Sequence, residues 1–143
     1  MDYIREAIER LRHLKDLYKA NENLRDTILD LRLKCQGKEV VLDGMPHGSG
    51  SITYDDAIIN NMFKLQESEK QLEENKAEIK KINKELSGLA ERDRELLIQW
   101  FVDRVDLQDM CTKHICSKSE LYRRKDRAIR QFAVQVFGIR VIR

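Results

Sequence analysis

Residues 96–132 read LLIQWFVDRVDLQDMCTKHICSKSELYRRKDRAIRQF, and they predict the helices of the C-terminal part of the chain. An apolar stripe at helical spacing opens it, formed by Leu96, Leu97, Trp100 and Phe101. Residues 103–106 interrupt that stripe, and a short second helix is predicted after them, with Leu107, Met110 and Cys111 on one face. A tight turn at residues 114–116 follows. Ser117 then occupies the N-cap position of a long basic helix.

The basic helix after Ser117 is predicted to have two unlike faces. Its inward face consists of Leu121, Ala128, Ile129 and Phe132, with Lys125 or Arg124 beside them. Its outward face consists of Ser119, Tyr122, Arg123, Asp126, Arg127 and Arg130. A short helix, a three-residue turn and a second helix with a cationic outer face make a helix-turn-helix, whose second helix can lie in a DNA major groove.

The charge of the chain is distributed unevenly. Residues 113–143 contain nine Lys/Arg and two Asp/Glu, whereas the other 112 residues contain 18 basic and 23 acidic side chains. The net charge of +2 therefore conceals a basic C-terminal end on an acidic remainder. A local excess of cations is what a surface for nucleic-acid phosphates requires.

Length and composition favour long solvated helices over one large globular core. The chain has 143 residues, of which 36% are charged and only 6% are aromatic. Three cysteines do not form a disulfide framework, so reduced thiols are expected. No run is long enough to span a membrane and the N-terminus lacks the apolar segment of a signal peptide, so we expect no membrane partner and a cytoplasmic location.

Two long helices are predicted before the helix-turn-helix. Residues 3–35 carry a drifting apolar stripe, formed by Ile4, Ile8, Leu11, Leu24, Ile28, Leu31 and Cys35. Residues from about 55 to 86 or 89 carry a heptad of Ile58, Leu65, Leu72, Ile79 and Leu86. The companion seam position is interpreted as Met62, Glu69, Lys76 and Asn83. The seam therefore has few apolar residues and needs a partner helix to be stable. At about 1.5 Å per residue each helix spans roughly 50 Å, so the two match end to end as an antiparallel hairpin.

The predicted fold class is therefore all-α. A coiled-coil hairpin arm covers residues 1–88, with a glycine-rich linker at 36–55, and a helix-turn-helix module covers residues 89–143. Gly138 is expected to end the basic helix, and the tail IRVIR to form an extended segment, pack back on the module or bind a partner.

Residues 90–132 resemble region 4 of bacterial sigma factors and related helix-turn-helix proteins. The positions of their pattern are occupied here by Asp109, Met110, Cys111, His114, Ile115, Cys116, Ser117 and Leu121. Two positions depart from the pattern. His114 replaces the usual leucine, and Ile115 stands where glycine normally takes a positive φ. Because a β-branched residue is costly in that conformation, we expect a reshaped or slightly longer turn.

A wider resemblance covers nearly the whole chain. The long first helix, the linker string GMPHGSGS at residues 44–51, the charged second helix and the sigma-like end look like phage-encoded transcriptional regulators of the RinA/ArpU type. The resemblance implies a phage or prophage protein of a Gram-positive host that controls late or packaging genes. DNA binding itself follows from the residues, while the gene class follows only from the resemblance.

The expected DNA-binding residues divide by their position on the recognition helix. Those nearest its N-terminus are candidates for base edges, namely Lys118, Ser119, Tyr122 and Arg123. Those expected at phosphates are Lys113, Arg124, Arg127 and Arg130. The partners expected are double-stranded DNA, a second copy of the chain through the helical arm, and RNA polymerase or another protein.

Other functions stay open alongside DNA binding. The chain could be a coiled-coil interaction protein, such as a polymerase adaptor or an anti-repressor, or the small subunit of a packaging terminase, which forms rings. Cys111, His114 and Cys116 have no fourth ligand at a zinc spacing, so helix packing explains them better than a metal. We find no catalytic pair and no phosphate-binding glycine loop, so neither an enzyme nor a cofactor is expected.

Overall fold

A computed structural model describes residues 2–36 and 54–142. In these ranges the chain is all-α, as predicted, and contains no strand. The helices are α1 (Tyr3–Cys35), α2 (Tyr54–Leu86), α3 (Glu91–Leu97), α4 (Leu107–His114) and α5 (Lys118–Phe137). One turn of π-helix (Ile98–Val102) continues α3, and a short 3-10 helix (Gly138–Val141) follows α5. The predicted glycine-rich linker lies almost entirely outside the described residues.

The described chain divides into two compact units. Unit 1 contains residues 1–18 and 78–143, and unit 2 contains residues 19–77. Each unit therefore holds one part of α1 and one part of α2. Neither unit coincides with the predicted arm of residues 1–88 or with the predicted module of residues 89–143, and whether that module folds by itself stays a prediction.

Unit 1 is built around one apolar cluster to which every long helix contributes. Burying a leucine or phenylalanine contributes about 1.5–3 kcal/mol, so this cluster is the main source of stability in the unit. Its largest buried side chains include Leu11 and Leu14 from α1, Ile82 and Leu86 from α2, Leu97, and Ile129 and Phe132 from α5. Arg10 of α1 also pairs with Glu85 of α2. The base of the hairpin and the C-terminal helices thus share a core.

A smaller apolar cluster in unit 1 lies under α4. Leu96, Met110 and Leu121 are its buried members, with Cys111 and Cys116 packed at its edge. The partly buried side chain of Trp100 packs against this cluster and against the main one. These contacts fix α3, α4 and α5 as one helical assembly.

Unit 2 consists, among its described residues, of the two helical segments of α1 and α2 alone. Ile28 and Leu31 of α1 are buried, and Arg32 pairs with Glu69 across the helices at 3.2 Å. Two asparagines are buried as well, Asn21 and Asn75. The unit therefore has a thin seam with polar side chains inside it.

The prediction of the companion seam position of α2 was wrong by one residue. Met62 is about half exposed, and Glu69, Lys76 and Asn83 are not buried. The seam instead uses positions three residues after each heptad leucine or isoleucine, which are Asn61, Ser68, Asn75 and Ile82 in α2 and Leu89 just after its end. Spacings of three and of four residues both lie on one helix face, so periodicity alone does not choose between them. The seam is polar in unit 2 and apolar in unit 1.

The end of the chain packs on unit 1. Gly138 ends α5 with φ 74°, as predicted. The tail then forms the short 3-10 helix, and Val141 packs against the main cluster. Of the three alternatives left open for the tail, Val141 takes the packed one, while Ile139 and Ile142 stay exposed.

Candidate nucleic-acid interface

The turn between α4 and α5 keeps the backbone conformation that favours glycine. Ile115 has φ 51° and ψ 57°, and the N–H of Cys116 donates to the carbonyl of Cys111 at 3.1 Å. This is the six-to-one hydrogen bond of a helix that ends in a left-handed residue. The expectation of a reshaped or longer turn was wrong. The side chain of Ile115 is 90% exposed, so the conformational cost is confined to its own backbone.

Ser117 caps α5, as predicted. Its Oγ accepts a hydrogen bond from the backbone N–H of Glu120 at 3.2 Å. The carboxylate of Glu120 lies 3.6 Å from Arg123 and 3.4 Å from Arg124. The first turn of α5 is therefore held by a side-chain cap and by ion pairs on its own surface.

Most of the predicted DNA-binding residues share the exposed surface of α5. Those exposed there are Lys118, Ser119, Tyr122, Arg123, Arg127 and Arg130. The helical spacing of Ser119, Arg123, Arg127 and Arg130 places these four on one face, which we call the basic face. Asp126 is the acidic residue beside it, and Lys125 pairs with Asp126 at 2.9 Å. The basic face points away from the buried residues of α5.

Two of the predicted residues do not belong to the exposed surface of α5. Arg124 is largely buried, with its side chain 20% exposed, and its guanidinium donates to the carbonyl of His114 at 3.5 Å. It thus contacts the C-terminal end of α4, where a cation is favourable. Lys113 is on α4 and its Nζ lies 3.0 Å from the carboxylate of Glu95. This hydrogen bond holds the pKa of Glu95 below its ordinary value.

The inner side of the Tyr122 ring packs against an aromatic and a cationic side chain. Its ring packs edge-on against Trp100, with 5.1 Å between ring centroids. The Nζ of Lys125 lies 5.2 Å from the ring of Trp100 and 5.4 Å from that of Tyr122. Tyr122 is therefore held in one orientation while its outer edge stays open to solvent.

His114 connects the α4–α5 turn to the π-helical segment. Its Nε2 lies 2.8 Å from Oε1 of Gln99, whose side chain is buried. An amide oxygen accepts, so this nitrogen carries the proton. Burial lowers the pKa of His114, which favours the neutral ring near neutral pH. His114, which stands at the usual leucine position, is thus paired with the polar Gln99 of the π-helical segment. No periodicity in the sequence identifies Gln99 as the partner of His114.

A groove beside Tyr122 was not predicted from the sequence. Its walls include Trp100 and Tyr122, and Arg12 and Arg104 line it with apolar side chains of α4 and of the preceding loop. Arg104 has a positive φ of 51°, which ends the π-helical turn. Arg12 belongs to α1, far away in the chain, so only the fold brings the two arginines to one groove.

The described ranges contain no metal-ligand cluster, since no group of three or more His, Cys, Asp or Glu is placed to hold an ion in them. Cys35, Cys111 and Cys116 are free thiols. Among the described helices, none is long and apolar enough to cross a membrane. Comparisons with protein-family models, with curated proteins and with solved structures gave no match.

Proposed function

We propose that this protein is a transcriptional regulator that binds double-stranded DNA through α4 and α5 as a helix-turn-helix. The observation that carries the proposal is the basic face of α5, which follows a left-handed turn and a serine cap. Arg123 and Ser119 lie near the N-terminal end of α5, where a recognition helix meets base edges. Arg127 and Arg130 extend the same face toward phosphates.

The rest of the proposal follows the resemblance. The protein is a phage or prophage regulator of the RinA/ArpU type, acts in the bacterial cytoplasm and binds its site as a dimer formed through the helical arm. A dimer suits a helix-turn-helix because two recognition helices read two half-sites. Arg124 is no longer proposed as a phosphate contact, since its side chain packs against the end of α4.

Salt-dependent binding of duplex DNA tests the proposal. We expect the wild type to bind a random-sequence duplex tightly at low salt and to lose affinity steeply as salt rises. An Arg123/Arg127/Arg130 triple alanine variant should bind much more weakly, with a salt slope reduced by about 0.9 for each lost phosphate contact. Fluorescence anisotropy of labelled DNA at two or more salt concentrations measures both quantities.

A matched control removes the same charge elsewhere. Lys80, Lys81 and Lys84 are exposed on α2, within unit 1, and their triple alanine variant should bind DNA like the wild type. Equal losses of DNA affinity in both triple variants would mean that binding depends on net charge and not on the basic face. Wild type that does not bind at low salt would reject DNA binding, and a pull-down against RNA polymerase would then test the adaptor function.

Base recognition by Arg123 is tested on a selected site. Arg123→Ala should cost about 1–3 kcal/mol on the cognate site and relax specificity at one base step. Binding of cognate and scrambled DNA by this variant is compared with binding by the wild type. Unchanged affinities for both would contradict the assignment.

A further inference from the structure

Unit 2 exposes a set of large apolar side chains that no described residue covers. We call it the apolar face, and it consists of Leu29 on α1 with Ile59, Met62 and Phe63 on α2. Leu29 is 61% exposed and Phe63 is 67% exposed, while Ile59 and Met62 are about half exposed. Single exposed apolar residues are ordinary, but the three on α2 are spaced i, i+3 and i+4, the pattern of a helix that packs against another helix.

The apolar face lies outside the seam between α1 and α2. The seam of α2 uses Ile58, Asn61 and Leu65, so Ile59, Met62 and Phe63 point to other sides of the helix. Met62 precedes Glu69 by one heptad, and Ile59 precedes Glu73 by two. Each pair therefore shares one side of α2, and the three apolar residues begin a surface that continues along the helix.

A groove of about 590 Å³ lies between the two helices of unit 2, and Leu29 of the apolar face is part of its lining. Leu29, Ile28 and Leu72 form its apolar part. Its charged part contains three cations and three anions, which are Arg25, Arg32, Lys76, Asp26, Glu69 and Glu73. A strongly acidic or strongly basic partner would meet like charges there. Arg32 pairs with Glu69, and Lys76 with Glu73, within one chain, so the groove carries no net charge and a second copy meets no repulsion there.

The seam inside unit 2 contributes little stability by itself. Asn21 is only 2% exposed, and its side-chain amide has no hydrogen-bond partner among the described residues. Asn75 is buried too, and it accepts a hydrogen bond from Gln71 of its own helix at 3.0 Å. A two-helix seam with buried amides and few apolar contacts is marginal in water, and added helices are the usual source of its stability.

We propose that a second copy of this chain packs its apolar face and groove against those of the first, around a two-fold axis. This inference rests on the dimer of the proposed function and names the surface that forms it. Leu29, Ile59, Met62 and Phe63 are the central contacts, and the charged side chains of each groove lie at the rim. A two-fold interface presents the same patch on both subunits, which the balanced charges permit.

The molar mass in solution tests the inference without DNA. Size-exclusion chromatography with light scattering should give the wild type twice the 16.9 kDa of one chain. A Leu29→Glu/Phe63→Glu variant should run as a monomer, or show a dimer dissociation constant raised at least about 30-fold, because central apolar contacts dominate interface energy. Glutamate is a good helix former and both positions are exposed, so circular dichroism should show unchanged helix content.

The matched control places the same charges on other exposed apolar residues. Ile139 and Ile142 are exposed in unit 1, and Ile139→Glu/Ile142→Glu should remain a dimer. If the glutamates at Leu29 and Phe63 reduce helix content, the milder Phe63→Gln takes their place, with the dissociation constant measured by dilution. A wild type that is monomeric, or that forms larger rings, overturns the inference. The inference is also overturned if only the control variant dissociates the dimer, or if none of these variants weakens it.

The outcome is separable from that of the proposed function. If the wild type is a dimer through the apolar face but does not bind DNA, the interface stands and DNA binding fails. If the wild type binds DNA as a monomer, DNA binding stands and the interface fails. If both hold, the Leu29→Glu/Phe63→Glu monomer should bind a single half-site like the wild type and lose affinity for a paired site.

Discussion

Ile115 holds a strained backbone conformation in a place where its side chain makes little contact. At φ 51° and ψ 57° a β-branched residue costs about 1–2 kcal/mol relative to an ordinary conformation, and Ile115 is almost fully exposed. Glycine removes that cost but loses more backbone entropy on folding. Ile115→Gly should therefore raise the free energy of unfolding by about 0.5–1 kcal/mol, measured by urea denaturation.

The control for this substitution is another exposed isoleucine. Ile139 lies in the 3-10 helix after α5 and its φ is negative, so glycine relieves no strain there. Ile139→Gly should leave the free energy of unfolding unchanged or lower it. A fall in stability for Ile115→Gly would mean that the turn does not keep the left-handed residue in solution.

His114 should make the stability of unit 1 depend on pH. Burial lowers its pKa in the folded state, so the unfolded chain binds the proton more readily. The contribution of His114 to stability is therefore complete above its ordinary pKa of 6.5 and declines as the pH falls below that value. His114→Gln keeps an N–H for Gln99 without titrating, so its free energy of unfolding should fall less steeply between pH 7 and pH 5.

Urea denaturation at several pH values measures that slope. Glu95, Lys113, Arg92 and Arg124 are the charged groups around the ring, and they are the same in both proteins. His13→Gln is the control, since His13 is exposed on α1, and it should follow the wild type. Parallel curves for wild type and His114→Gln would exclude His114 as the source of the dependence.

At the scale of the element, α5 depends on its N-terminal cap. Ser117 satisfies one of the free N–H groups of the first turn, and replacing such a cap by alanine costs about 1 kcal/mol. Ser117→Ala should lower the free energy of unfolding by that amount in urea denaturation. Ser119→Ala changes an exposed serine two residues later, inside the helix, and should stay within about 0.5 kcal/mol of the wild type.

The same cap has a consequence for the proposed function. Lys118 and Ser119 belong to the turn that Ser117 caps, so fraying of that turn would loosen two proposed base contacts. Equal stability of the Ser117→Ala and Ser119→Ala variants would show that the cap is not formed in solution. The helix would then begin later in the chain, and the proposed base contacts would have to move with it.

At the scale of the whole molecule, the C-terminal helices share their core with the first residues of the chain. Ala7, Leu11 and Leu14 of α1 pack in the same cluster as Ile129 and Phe132 of α5. Removing one buried leucine side chain typically costs 2–5 kcal/mol, and a fragment of residues 89–143 lacks all of α1 and α2. We expect this fragment alone to lose the near-ultraviolet circular dichroism of Trp100 and to unfold without cooperativity.

A chain in which residues 19–77 are replaced by a flexible linker of about ten residues is the matched control. It keeps the apolar cluster of unit 1, so it should unfold cooperatively and keep the Trp100 signal. Cooperative unfolding of the 89–143 fragment at the temperature of the full chain would instead support an independent C-terminal module, as the predicted boundary after residue 88 implies.

The local features of the fold followed from the sequence alone. A drifting apolar stripe and the lack of internal breaks predicted α1 at residues 3–35, and Ser117 and Gly138 predicted the ends of α5. The outward face of α5 followed as well, since 3.6 residues per turn separate Arg123 and Arg127 from Leu121 and Phe132. Each of these depends on the hydrogen bonds and side-chain positions of one segment, which neighbouring residues specify.

Features that depend on contacts between distant residues became visible only in the folded chain. Whether α2 uses Met62 or Asn61 in its seam is a choice between two allowed spacings, and packing against α1 selects it. Arg124 turns to the end of α4 because the turn brings the carbonyl of His114 within reach. The pairing of His114 with Gln99, and of Arg12 with Arg104 in one groove, joins residues far apart in the chain. No local pattern encodes such contacts, because their free energy arises only when the helices assemble.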